Sequence, residues 1–138
     1  MSTLATAAAV LVHEDEPAVR VTLNRPDKRN ALSLELMQEL IDTLRRVSAD
    51  PGVRVIVLEA AGPAFSAGHD LSEMIGRDVP FFQRLFDVCT ELMETIHRLP
   101  QPVIARLNTE INKVLRSPAF IQRMDAIGAI PRLLGGID

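Results

Sequence analysis

Val53-Arg54-Val55-Ile56-Val57-Leu58-Glu59-Ala60-Ala61-Gly62-Pro63-Ala64-Phe65-Ser66-Ala67-Gly68-His69-Asp70-Leu71 holds the two signals on which the fold turns. Residues 53–58 are almost continuously apolar and rich in β-branched side chains, the pattern of a strand buried on both faces of a parallel sheet. Residues 60–70 contain two glycines, one proline and other small residues, and read as a loop leaving the carboxyl end of that strand. Open α/β sheets place ligands at that end. Small residues let a ligand approach the backbone, and free amides in such a loop can donate to an oxygen that gains negative charge in a transition state. The same residues also fit an ordinary strand-to-helix loop with Gly68 at positive φ.

Upstream, Val10 to Val12 and Val19 to Leu23 are β-prone runs around the polar segment His13 to Pro17, which predicts a hairpin. Residues 24–30 are too polar and too rich in turn formers to be other than a loop. Ser33 is a cap for the helix that follows, in which Leu34, Met37, Leu40, Ile41, Leu44 and Val47 form one apolar stripe. Asp50-Pro51-Gly52 ends it. Downstream, a helix whose best part starts near Pro80 carries Phe82, Leu85, Phe86, Cys89, Leu92, Met93, Ile96 and Leu99 on one face. Pro100 and Pro102 close it, and Pro102 to Ala105 opens another strand expected to be buried. The alternation of strands and helices is an α/β repeat. Two short helices, 108–117 and 118–127, are expected next, the second stopped by Gly128, with a frayed tail from Arg132.

A length of 138 residues, 47% hydrophobic and 24% charged, suits one compact domain. A net charge of −3 provides no basic surface for nucleic acid. One cysteine allows no intrachain disulfide, and Cys89 reads as core. There is no run of membrane-spanning length and no basic, apolar leader, so a soluble cytoplasmic protein is expected. His69 has no His, Cys or carboxylate cluster beside it with ligand spacing, so no metal is expected. His13 and His97 read as surface residues, and the two helical stripes as core.

Four pieces, 23–32, 55–58, 60–71 and 99–105, taken in this order, resemble the enoyl-CoA hydratase/isomerase (crotonase) family over about residues 8–108. The resemblance implies a crotonase-like α/β core of ββα repeats that binds an acyl-CoA, with the coenzyme A thioester as substrate and no separate cofactor. It implies that the backbone amide of His69 supplies one donor of an oxyanion hole for the thioester carbonyl. It also implies that Ala67, Asp70, Leu71 and Ser72 lie along the bound CoA, while Lys28, Arg29 and Ala31 sit near its phosphates and pantetheine arm. A mobile cation beside a polyphosphate needs no fixed geometry, although Lys28 and Arg29 could equally solvate a loop.

In the family, Pro-Val-Ile-Ala is followed by Asn-Gly and a glycine-rich turn that provides the second oxyanion amide and leads to catalytic acids. Here residues 109–115, Thr-Glu-Ile-Asn-Lys-Val-Leu, contain no glycine. The second donor and the acids therefore have no matching positions, and a site with one donor is weak. Glu110 is explained by the start of a helix, where its charge is favourable. Residues 107–131 resemble a segment near the C-terminus of tripartite tricarboxylate transporter receptors. The expected organisation is thus a partial crotonase-like acyl-CoA-binding domain, 1–108, and a helical tail of different origin, 109–138. The leading function is an acyl-CoA-binding protein of enoyl-CoA hydratase/isomerase type without turnover, against a non-enzymatic structural or oligomerisation module. A parallel sheet cut at this point exposes an edge, which the tail must cover or a second copy must pair.

Overall fold

The computed structural model describes residues 8–15, 17–105, 118, 119 and 122. Contacts divide the chain into Met1–Arg106 and Leu107–Asp138, and the described elements lie in the first unit. Strands β1 (Val10–Asp15) and β2 (Ala18–Leu23) form an antiparallel hairpin with His13 opposite Arg20. Helix α1 (Leu34–Ser48) crosses to β3 (Val55–Ala60), which pairs parallel with β2. Helix α2 (Val79–Arg98) crosses to β4 (Val103–Ala105), parallel to β3. The sheet order is therefore β1-β2-β3-β4, a mixed sheet in an α/β fold.

Alternation along the strands sends Val19, Val21 and Leu23 of β2 and Ile56 and Leu58 of β3 into the core. There they meet Leu36, Met37, Leu40, Ile41, Leu44 and Val47 of α1 and Leu85, Val88 and Leu92 of α2. Each fully buried Leu or Met contributes about 2 kcal/mol by leaving water. Both helices begin as their sequences direct: Ser33 Oγ accepts from Leu36 N at 3.1 Å, and Asp78 Oδ1 accepts from Phe81 N at 3.1 Å, with Pro80 in the first turn. Gln101 ties the entry of β4 to the end of α1. Its Nε2 donates to Ser48 O at 3.0 Å and Val53 O at 3.2 Å, and its Oε1 lies 2.6 Å from Ser48 Oγ.

Several expectations need correction. The strand expected at 53–58 runs Val55–Ala60, because Val53 N bonds Asp50 O in the turn that ends α1. It is buried on one face only: Val55, Val57 and Glu59 are half-buried, since the described helices cover the other face. The polar segment from His13 to Asp15 belongs to β1, where the ladder uses the backbone and the exposed side chains of His13 and Glu14 tolerate polarity on an edge strand. Strand β4 is not buried; Ile104 is 55% exposed because no described strand lies beyond it. The apolar stripe of α2 is wider than its buried face, leaving Phe86 and Met93 half-exposed, although Cys89 packs against the core as expected. His13 and His97 are exposed. Of the two expected tail helices, Pro118, Ala119 and Gln122 are helical. Residues 108–117 and the rest of that tail lie outside the described residues. No described helix is long and apolar enough to cross a membrane.

Gly62 has φ +81°, and a Cβ there would stand 2.8 Å from Pro26 Cβ. The proline ring cannot swing aside, and the positive φ penalises any L side chain. Gly62→Ala should destabilise the chain by about 2 kcal/mol in urea unfolding. A change under about 0.5 kcal/mol would show that the two loops do not touch this closely.

Candidate functional site: two loops laced through their backbones

Residues 24–33 and 61–73 lie side by side beyond the carboxyl ends of β2 and β3. The first loop contains a 3-10 turn, Pro26–Lys28, after which Arg29 and Asn30 both take left-handed backbone conformations, at φ 51° and 52°. The reversal brings residues 29–32 alongside residues 67–70. Ala67 N donates to Arg29 O at 3.0 Å, Leu32 N to Gly68 O at 2.8 Å, and Asp70 N to Leu32 O at 3.0 Å. This is a parallel bridge of Leu32 with His69. In such a bridge the flanking groups Gly68 O and Asp70 N face Leu32, so the amide of His69 itself faces the opposite way. No described residue accepts from that amide. Gly68, at φ +87°, makes the turn that allows this, and a Cβ there would meet no atom within 4 Å.

The expected site residues are therefore gathered in one place by main-chain bonds. Lys28 and Arg29 are exposed, Ala31 is buried, and Ala67, Leu71 and Ser72 are exposed. The groove containing Lys28 also carries Asp27, Glu35 and Glu39, so its charge is mixed. The start of α1 is not a free anion site. Its amides already serve Ser33 Oγ and, from Leu34 N at 2.9 Å, Glu73 Oε2. The His69 ring lies edge-on to Phe86 of α2, with centroids 5.8 Å apart, and its Nδ1 is buried without a hydrogen-bond partner among the described residues. Among the described residues no group of three or more His, Cys, Asp or Glu side chains could hold a metal.

Asp70 is the polar anchor at the end of this strip. Its Oδ1 accepts from Ser72 N at 3.2 Å and from the Ser72 hydroxyl, and its Oδ2 lies 3.4 Å from Arg25 Nη2. The Ser72 hydroxyl foremost, then the Ser72 amide and Arg25, hold the carboxyl below its ordinary 3.8, against the opposing effect of burial. Because the folded value lies below the unfolded one, the folded state binds fewer protons between the two, and stability falls as pH drops through that window. The contribution of Asp70 should be complete above its ordinary 3.8 and disappear as pH falls through the lowered folded value. The melting-temperature gap between the chain and Asp70→Asn should thus close in acid. A constant gap would refute the assignment.

Two residues at the centre of the site were not singled out from the sequence. Arg25 Nη1 donates to Ala31 O at 3.1 Å while its other nitrogen meets Asp70. Asn30 is fully buried and bonds to both loops. A signal did exist for Asn30: asparagine is among the few residues that accept positive φ. Its burial is visible only when the second loop is in place.

A family model described as "Enoyl-CoA hydratase/isomerase" matches residues 14–112. Enoyl-CoA hydratase domain-containing protein 3, mitochondrial, of Danio rerio is 46% identical over 92 residues, which is 64% of this chain and 31% of that protein. An enoyl-CoA hydratase structure from Bacillus anthracis superposes with TM-score 0.70 at 35% identity, over 73% of this chain and 40% of that one. Human enoyl Coenzyme A hydratase domain-containing protein 3 gives TM-score 0.70 at 30% identity over the same shares. The chain spans about a third of the length of the curated relatives it matches.

Proposed function

Since this chain belongs to the enoyl-CoA hydratase/isomerase family, we propose that its paired loops bind an acyl-CoA thioester as one half of an oxyanion site. The described unit has the crotonase fold of the structures it resembles. The observation that carries the proposal is the His69 amide, which the Leu32 bridge turns away from the ladder and which no described residue uses. A buried or half-buried amide without a partner costs free energy, and a thioester carbonyl supplies the missing acceptor. Lys28 and Arg29, exposed at the turn whose carbonyl receives Ala67 N, would meet the coenzyme phosphates without needing fixed geometry. Ala31, Ala67, Asp70, Leu71 and Ser72 would line the path between them.

Turnover is a different matter. Hydration of an enoyl thioester needs a group to deliver and remove protons at the substrate carbons. It also gains about 10²–10³ in rate from each oxyanion donor. No glycine occurs between Gly76 and Gly128, so the turn expected to provide a second donor has no counterpart in this sequence. The proposed function is therefore binding by a half-site without hydration. A purely structural module is the second reading, favoured by the same lack of a glycine turn.

Calorimetric titration of the whole chain with acetyl-CoA and crotonyl-CoA, with crotonyl-CoA absorbance followed in the same samples, separates these. Saturable binding with unchanged absorbance is expected. Loss of absorbance would overturn the assignment to binding alone, and no heat with either thioester would leave the structural module.

A further inference from the structure

Asn30 stands where the two loops must be held, and every polar group it owns is used. Its Nδ2 donates to Ala61 O at 2.8 Å and to Ala64 O at 2.8 Å, spending both amide hydrogens on the second loop. Its Oδ1 accepts from Arg25 N at 2.8 Å, and its own N donates to Arg25 O at 2.9 Å, closing the first loop on itself. Its carbonyl accepts from Ser66 Oγ at 2.9 Å. The residue is 0% exposed and sits at φ 52°.

Few side chains meet these demands together. Aspartate could accept from Arg25 N but would set an oxygen against two carbonyls. Glycine accepts the positive φ but leaves Ala61 O and Ala64 O without their donor. Leucine satisfies neither requirement. The ladder flanks this anchor, with Arg29 O accepting from Ala67 N just before it and Leu32 bonded to Gly68 and Asp70 just after it. The direction of the His69 amide is thus a consequence of register, and Asn30 holds that register between the bonds at Arg29 and Leu32.

We infer that Asn30 is the positioning residue of the site: its carboxamide locks the first loop to the second and so aims the His69 amide at the thioester oxygen. Asn30 does not itself touch the ligand. The inference rests on the acyl-CoA reading above, and the test separates the two.

The probes are acetyl-CoA and its thioether analogue S-ethyl-CoA, which keeps the coenzyme and lacks the carbonyl. The chain should prefer the thioester by about tenfold, the scale of one well-placed hydrogen bond in a shielded site. In Asn30→Gly and Asn30→Asp that preference should fall to about one, while thioether affinity changes less than about twofold. A structural role alone would lower both affinities together, and that result, or an unchanged preference, overturns the inference.

Ser66→Ala removes only the hydroxyl that donates to Asn30 O and accepts from Gly68 N at 3.2 Å. It is the variant to use where the Asn30 substitutions do not fold, and it should lower the preference by about twofold or more. An unchanged ratio in that variant again overturns the inference. If the unmodified chain binds both probes equally, or neither, the acyl-CoA reading fails first and the role of Asn30 falls with it.

Discussion

Leu44→Ala should lower the stability of the chain by about 3 kcal/mol, a drop of about 15 °C in melting temperature for a unit of this size. Leu44 is 0% exposed in the third turn of α1, within the cluster formed by the sheet, α1 and α2. Truncation removes the transfer free energy of the isobutyl group and leaves a cavity that the rest of the cluster, Ile56 and Leu92 included, can only partly close. Both of those are themselves almost fully buried. A domain of this kind holds about 5–15 kcal/mol in total, so the loss is a large fraction of what keeps it folded. Gln38→Ala, on the exposed face of the same helix, should cost less than about 0.5 kcal/mol and serves as the control. Equal effects of the two changes in thermal unfolding would mean that α1 is not packed as described.

His69→Pro should remove the preference for a thioester over its thioether, and His69→Ala should keep it. The logic follows from the bridge: the bonds to Leu32 are made by Gly68 O and Asp70 N, so the His69 nitrogen has no role in the ladder. Proline deletes an N–H that no described residue uses, as it does at the free side of an edge strand. Alanine keeps the N–H and deletes the imidazole, whose contact is the Phe86 edge at 5.8 Å. The expected loss in the proline variant is about tenfold in the ratio of the two affinities, with folding monitored by circular dichroism. If alanine abolishes the preference instead, the imidazole rather than the backbone makes the contact, and the oxyanion assignment is wrong.

How far these features can be read before folding differs by residue. The Ser33 cap and the α1 stripe follow from local chemistry, since a hydroxyl at the right offset and apolar side chains at helical spacing are decided within one or two turns. The small-residue loop at 60–70 was legible for the same reason. The thioester contact that the resemblance implies there is not legible in the loop itself, because backbone amides leave no trace in side-chain identity. Asn30 and Arg25 read as ordinary polar loop residues, since their partners stand as far away as Ala64 and Asp70 along the chain.

The sequence by itself determined the order of strands and helices, the inward stripe of α1, and the presence of a glycine-bearing loop after β3. Those are local properties of spacing, capping and backbone freedom. Only the tertiary structure decided that the described helices cover one face of β3, that Phe86 and Met93 face outward, and that the His69 amide points away from the ladder with no acceptor among the described residues. Burial and register depend on what lies across from a residue, and the bonds from 29–32 to 67–70 exist only once α1 and β3 have brought those segments together.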